Sequence, residues 1–209
     1  MPKICRVSTY IYEKMCETPS DIHEHLPTLM KLATECDTIV EMGVRAAVST
    51  WAFIEGLRKR RTDAVKRLIS VDICDVPRVG FVEAHAAKLG IEFSFVKHDS
   101  ASVEIPETDL VFIDTWHAYG HLKRELSAHH SKAKKYIVLH DTESYMHVSD
   151  SSHFKADVRA LSEKSGYPVE EIEKGIGPAV VEFLEEHPEW VVKVHYTNNN
   201  GLTVLVRNK

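Results

Sequence analysis

No stretch of the 209-residue chain approaches the ~18 to 20 consecutive apolar residues that span a bilayer, so a membrane-spanning helix is not expected. The opening residues, Met1-Pro2-Lys3-Ile4-Cys5-Arg6, have neither an apolar core of signal-peptide length nor a small-residue cleavage pattern, and the expected compartment is the cytoplasm. Cysteine is sparse: Cys5, Cys16, Cys36 and Cys74 show no CxxC or zinc spacing and read as reduced thiols. A basic excess is also missing, with 26 Lys and Arg against 31 Asp and Glu and a formal net charge of -5. Binding to a phosphate backbone or an anionic membrane, which needs Lys and Arg to release counterions, is therefore disfavoured. The one dense basic cluster, Arg58-Lys59-Arg60-Arg61, falls at the end of a predicted helix, where it complements the helix dipole. Glycine is scarce where a dinucleotide fingerprint would need it. Only Gly43 follows the first predicted strand, and Val44, Ala46 and Ala47 do not supply the remaining positions.

What is present is a chain with 44% hydrophobic and 27% charged residues, enough to bury a core and of a length that predicts one domain. Short β-branched runs alternate with amphipathic stretches, the pattern of βαβ units and a mainly parallel sheet. The predicted strands are residues 38–42, 67–72, 92–96, 110–114 and 136–140, followed by helical segments near 47–60, 78–89, 118–130 and 152–165. Residues 190–197 and 202–207 flank Asn198-Asn199-Asn200-Gly201, whose Asn and Gly tolerate positive φ, so a closing hairpin with one reversed strand is expected. A helix is expected to begin at Thr18-Pro19-Ser20-Asp21 and run through Met30. The division is a helical extension over 1–36 and a core over 37–209 within a single domain. Ser149-Asp150-Ser151-Ser152 reads as a loop placed to cover a site.

Ligands of open α/β sheets bind outside the carboxyl ends of the strands. At the first end, Glu41-Met42-Gly43 precedes Ser49 and Thr50, a turn that offers a close backbone approach and hydroxyls at a helix start, or merely joins a strand to a helix. The second end is Asp72, placed to accept hydrogen bonds from ribose hydroxyls or to stand at a helix N-terminus. The third leads into His98 and Asp99, which line a base pocket or form a polar turn. The fourth and fifth ends carry the most specific signal among the 13 histidines: Asp114-Thr115-Trp116-His117 and His140-Asp141-Thr142-Glu143. Carboxylates with imidazoles at two neighbouring strand ends can hold a divalent cation. Each group also has a plain role, His117 as a helix cap and the acids as partners of a nearby Arg or Lys.

On these residues the sequence resembles the class I S-adenosylmethionine (SAM)-dependent methyltransferases, and more narrowly the group of sugar (rhamnosyl) O-methyltransferases and cephalosporin-hydroxylase-like proteins. The segments that carry the resemblance include Val40-Glu41-Met42-Gly43-Val44-Arg45, Phe112-Ile113-Asp114 with His117, Val138-Leu139-His140-Asp141-Thr142, Gly177-Pro178-Ala179 and Thr197 to Leu205. The resemblance implies an α/β Rossmann-like fold, a seven-stranded, mostly parallel sheet with an antiparallel C-terminal hairpin strand and helices on both faces. It implies that Glu41, Gly43, Ser49 and Thr50 surround the methionine part of SAM, Asp72 holds the ribose, His98 and Asp99 lie near the adenine, and Asp114 borders the cofactor. It also implies a divalent cation, Mg or Mn, with ligands at Asp114, Asp141 and position 140, where His140 stands in place of a carboxylate and suits Mn or Zn better than Mg.

The activity expected is methyl transfer from SAM to the hydroxyl of a sugar or glycan, such as a deoxyhexose, with His117 as leading base and Asp114 as ligand or alternative base. Trp116, Tyr119 and Tyr145 offer faces for a sugar ring. The rival expectations are a nicotinamide-dependent oxidoreductase, which the missing glycines oppose, and a non-catalytic nucleoside- or glycan-binding module. Neither the acceptor hydroxyl nor an oligomeric state follows from the sequence.

Overall fold

The computed structural model describes residues 3–208. Two helices lead in: α1 (Lys3–Glu17) and α2 (Leu26–Ala33), the second entered through a 3-10 turn at His23–His25 and carrying Pro27 in its first turn. Alternation follows: β1 (Thr38–Met42), α3 (Val48–Lys59), β2 (Lys66–Asp72), α4 (Val79–Lys88), β3 (Ile91–Lys97), β4 (Thr108–Ile113), α5 (Tyr119–His129) and β5 (Ala133–His140). Four helices come next, α6 (Asp150–His153), α7 (Val158–Ser165), α8 (Val169–Glu173) and α9 (Gly177–Glu186), before β6 (Trp190–Tyr196) and β7 (Leu202–Arg207). No helix of the described residues is long and apolar enough to cross a membrane.

The seven strands lie in the order β3-β2-β1-β4-β5-β7-β6. β1 to β5 run parallel, and β7 is antiparallel to both β5 and β6. The reversed strand expected from the Asn-Gly turn is thus β7, inserted between β5 and β6, and the turn has positive φ at Asn199, Asn200 and Gly201. Central β4 is buried at every position, and its run Thr-Asp-Leu-Val-Phe-Ile lacks polar alternation because helices cover both faces of the sheet. One face packs Trp51, Phe53 and Ile54 of α3 against Phe112, with the Phe53 and Phe112 rings edge to face at 5.4 Å. The other packs Val111 and Ile113 against Leu122, Leu126, Phe183 and Trp190. From β1 the chain first steps outward to β2 and β3, then returns on the other side of β1 as β4. The crevice opens at that reversal, outside the carboxyl ends of β1 and β4.

The structure changes three of the expected segments. Of the helix expected across 18–30, residues 26–30 belong to α2, while 18–25 form a bend and a 3-10 turn before it. The helix expected at 152–165 is two, because Lys155 takes a φ of 55° and Asp157 starts afresh by accepting the N–H groups of Arg159 and Ala160. Ser149 to Ser152 is no loose loop: Ser149 Oγ caps α6 by accepting the Ser152 N–H at 3.1 Å, and Ser149 and Ser151 are buried. Helices α8 and α9 had no assigned span in the sequence, and α1 lies within the helical extension over 1–36.

Candidate functional site

The turn after β1 is built on Glu41, which is fully buried. Its carboxylate accepts hydrogen bonds from Ser70 Oγ of β2 at 2.6 Å, and from Ser49 Oγ at 2.6 Å and Thr50 Oγ1 at 2.9 Å in the first turn of α3. Burial pushes the Glu41 pKa up to about 7, against the pull of these three hydroxyls. Gly43 leaves the strand at a φ of 85°, and a Cβ there would stand 1.7 Å from the carbonyl oxygen of Asp114, so β1 and β4 approach around a position that only glycine fits. The next two N–H groups, of Val44 and Arg45, donate to Asp72 Oδ2 at 2.9 and 3.0 Å, while Cys74 N–H donates to Asp72 Oδ1 at 2.8 Å. Asp72 therefore anchors the loop as well as facing the crevice. Arg45 and Ala47 both have positive φ, a cost that backbones bear most often at functional loops.

The ends of β4 and β5 bring Asp114, His117, His140 and Asp141 together. His117 Nε2 lies 3.3 Å from Asp114 Oδ1 and 3.1 Å from Asp141 Oδ2. His140 Nδ1 lies 3.3 Å from the same Asp114 oxygen and 3.5 Å from the same Asp141 oxygen. On its far side, His117 Nδ1 faces Asp150 Oδ2 at 3.3 Å, and the ring stacks on Tyr145 with centroids 4.8 Å apart. Asp141 sits in the left-handed region at a φ of 58°, which turns its carboxylate into the crevice.

Burial works against charge on both imidazoles, but the carboxylates outweigh it and raise the pKa of His117 and of His140 to about 10. Burial would raise Asp114 in turn, yet the charge on His140 and the hydrogen bond from His117 hold its carboxyl far below the usual range. His117 thus stands between two carboxylates at Nε2 and Asp150 at Nδ1. Both His140 nitrogens and Asp141 Oδ1 are buried without a hydrogen-bond partner. Donor atoms of Asp114, His140 and Asp141 lie within 4.8 Å of one another. Buried donors that converge yet leave hydrogen bonds unmade fit a divalent cation.

Two cavities flank this cluster. The larger, about 820 Å³, is lined by Asp72, His98, Asp99, Trp116, His121 and Tyr167 among others. The smaller, about 420 Å³, is lined by Ser49, His117, Asp141, Tyr145 and Asp150, with Asp21, Arg45 and Asn200 at its side. Both share Gly43, Val44, Arg45, Asp114 and Thr115 as a common wall. Glu41, Thr50 and His140 line neither cavity and lie beneath the wall. Of the three aromatics expected beside a sugar, only Tyr145 borders the smaller cavity. Trp116 faces the larger one, and the Tyr119 hydroxyl donates to Glu182 at 2.7 Å, away from both.

The sequence did not single out Asp150 as a site residue, nor the polar layer under the larger cavity. There Glu125, fully buried, accepts from Thr115 Oγ1 at 2.7 Å and lies 3.4 Å from His121 Nε2, which also meets Ser100 Oγ at 3.1 Å. Trp116 stacks on Tyr167 at 5.7 Å and donates its indole N–H to Ser151 Oγ at 2.7 Å, tying the cavity wall to α6. The available signal was a polar residue every four positions, Gly120-His121 to Glu125 to His129, on an otherwise apolar helix face.

No protein-family model matches the sequence, and no curated protein matches it. Solved structures do match over 100% of the chain. A Staphylococcus aureus protein provisionally described as a caffeoyl-CoA O-methyltransferase superimposes with a TM-score of 0.57 at 12% identity over 93% of its own length. An O-methyltransferase from Bacillus cereus in complex with SAH gives 0.54 at 11% identity over 92% of its length. The O-methyltransferase TomG from Streptomyces achromogenes, in complex with SAM, gives 0.54 at 11% over 91%. At such identities the likeness defines the fold: this is the Rossmann-like fold of class I methyltransferases.

Proposed function

We propose that the chain is a SAM-dependent O-methyltransferase of the cytoplasm that methylates a hydroxyl of a sugar, a deoxyhexose such as rhamnose in a glycan, with a divalent cation held by Asp114, His140 and Asp141. The observation that carries this reading is the shared wall: two cavities of different character meet at Gly43 to Arg45 and at Asp114-Thr115. The larger suits the cofactor, with Asp72 for the ribose, His98 and Asp99 near the adenine, and Gly43 of the shared wall toward the methionine part, with Ser49 across that wall on the smaller cavity. The smaller suits the acceptor. Its carboxylates, Asp21, Asp114, Asp141 and Asp150, oppose an anionic ligand, and Tyr145 offers one apolar face, a combination that favours an uncharged, hydroxyl-rich ring.

SAM when bound supplies an electrophilic methyl group on sulfur, and a cation when bound lowers the pKa of a coordinated hydroxyl. The chain's own residues align the acceptor and accept its proton. That role belongs to His117, which borders the acceptor cavity beside Asp150, with Asp114 as ligand or alternative base. Glu41 and Asp72 act on the turn, fixing the wall between the two ligands. The test is mass spectrometry of deoxyhexose-containing acceptors incubated with SAM. The expected result is a methylated sugar, reduced on the order of 100-fold or more in turnover by His117→Ala; no methylated product from any hydroxyl acceptor would refute the reading.

A further inference from the structure

We propose that the acceptor enters the smaller cavity as part of a chain of at least two sugar rings, with the ring next to the methylated one lying on Phe154. Phe154 is then a specificity-determining residue. The inference rests on the methyltransferase reading above and deepens it, naming a disaccharide unit or longer as acceptor in place of a free monosaccharide.

Phe154 is 71% exposed, the most exposed large hydrophobic side chain among the described residues, and of those exposed side chains it alone borders the smaller cavity. It ends a run of rings that begins at His117. His117 stacks on Tyr145 with centroids 4.8 Å apart, Tyr145 meets His153 edge to face at 6.1 Å, and His153 meets Phe154 edge to face at 5.0 Å. Tyr145 and Phe154 both line the cavity, so the run leads from the base outward to solvent. A ligand that covers both aromatic faces must extend past His153, which a second ring joined to the first does.

The exposed ring is carried on a fixed backbone. Phe154 N–H donates to the Asp150 carbonyl at 2.8 Å and closes α6, whose start is capped by Ser149 and whose Ser151 Oγ accepts the Trp116 indole N–H at 2.7 Å. Ala156 N–H then donates to the Ser151 carbonyl at 2.8 Å, turning the chain back over α6. A side chain presented in this way loses little freedom when a ligand covers it.

The chemistry of the cavity selects the occupant. Asp21, Asp114, Asp141 and Asp150 oppose an anion, and a sugar offers them hydroxyls at its edge. Its other face carries C–H groups whose partial positive charge suits the negative face of an aromatic ring. One phenyl face is far smaller than the ~800 Å² per partner of a stable protein interface, so the occupant belongs to the ligand of the cavity.

The test is calorimetry of the full chain with SAH present, so that no turnover occurs, using methyl α-rhamnopyranoside and the two-ring methyl α-rhamnobioside as probes. The disaccharide is expected to bind about 5- to 10-fold more tightly. Phe154→Ala is expected to bring the ratio of the two affinities to about one, and Phe154→Trp to restore it. Circular dichroism checks folding, and Phe154→Leu, which keeps apolar bulk without an aromatic face, decides the matter if Phe154→Ala does not fold. Equal affinities in the wild type, a ratio unchanged by the Ala and Leu substitutions, or no binding of the disaccharide would overturn the proposal. The two ideas fail separately. Phe154-dependent disaccharide binding without methylated product from SAM counts against the methyltransferase and leaves the platform standing, whereas methylation with no preference for the disaccharide counts against the platform alone.

Discussion

At Gly43 the backbone combines a φ of 85° with the Asp114 carbonyl oxygen lying where a Cβ would go. Relief of that overlap would have to separate β1 from β4, so Gly43→Ala is expected to cost ~3 kcal/mol or more, read as a lower urea midpoint. Glu41 makes a prediction with a sign. Its pKa is raised from 4.5 to about 7, so its contribution to stability is complete below pH 4.5 and is lost as pH rises through 7. Measured by urea unfolding at pH 5 and pH 8, the wild type is expected to lose about 2–3 kcal/mol relative to Glu41→Gln, whose amide does not titrate. A difference that does not change with pH would show that Glu41 stays ionised in the fold. At this scale the sequence exposed Asp114, His117, His140 and Asp141, because chemistry-bearing groups at the ends of adjacent parallel strands must come together. It did not expose Asp150, which is 33 positions from His117 and reaches it only through the packing of α6 over the β4 end.

Strands were the more legible elements. The runs of β1, β4 and β5 are mostly buried on both faces, and β1 matches its expected bounds of residues 38–42. The bounds of helix α1 within the helical extension over 1–36 were not legible: Tyr12 joins the core with Ile11, Met15 and Cys16 packed against it, while Ser8 and Thr9 donate to Glu55 of α3 at 3.0 Å each. Arg58 donates to the same carboxylate at 2.6 and 2.8 Å. Glu55→Ala would leave these hydroxyls and the guanidinium unpaired under α1, at an expected cost of ~2–3 kcal/mol. Hydrogen exchange is expected to show α1 losing protection before the sheet does; uniform loss across the chain would mean that α1 is not held by this network. The break between α6 and α7 was written in Asp157, an N-cap type, but a single amphipathic span hid it. Asp157→Ala is expected to cost ~1 kcal/mol of thermal or urea stability through α7.

For the molecule as a whole, alternating strands and helices followed by a hairpin at Asn198 to Gly201 were sufficient to predict a parallel sheet with one reversed strand, because the turn chemistry dictates an antiparallel return. Strand order places the crevice at the reversal between β1 and β4, and from there the two cavities and their shared wall follow. The cavities themselves were not legible, since their outer walls come from α6, α7 and Tyr167, segments whose placement depends on packing rather than local pattern. The central claim is that the larger cavity binds SAM beside an acceptor site. Calorimetry of the purified chain with SAM tests it most directly. The account predicts saturable binding of one SAM per chain, weakened about 10-fold or more by Asp72→Ala, which removes both the proposed ribose partner and the anchor of the Val44-Arg45 loop. Absence of SAM binding, together with NADH binding in a fluorescence titration, would contradict it.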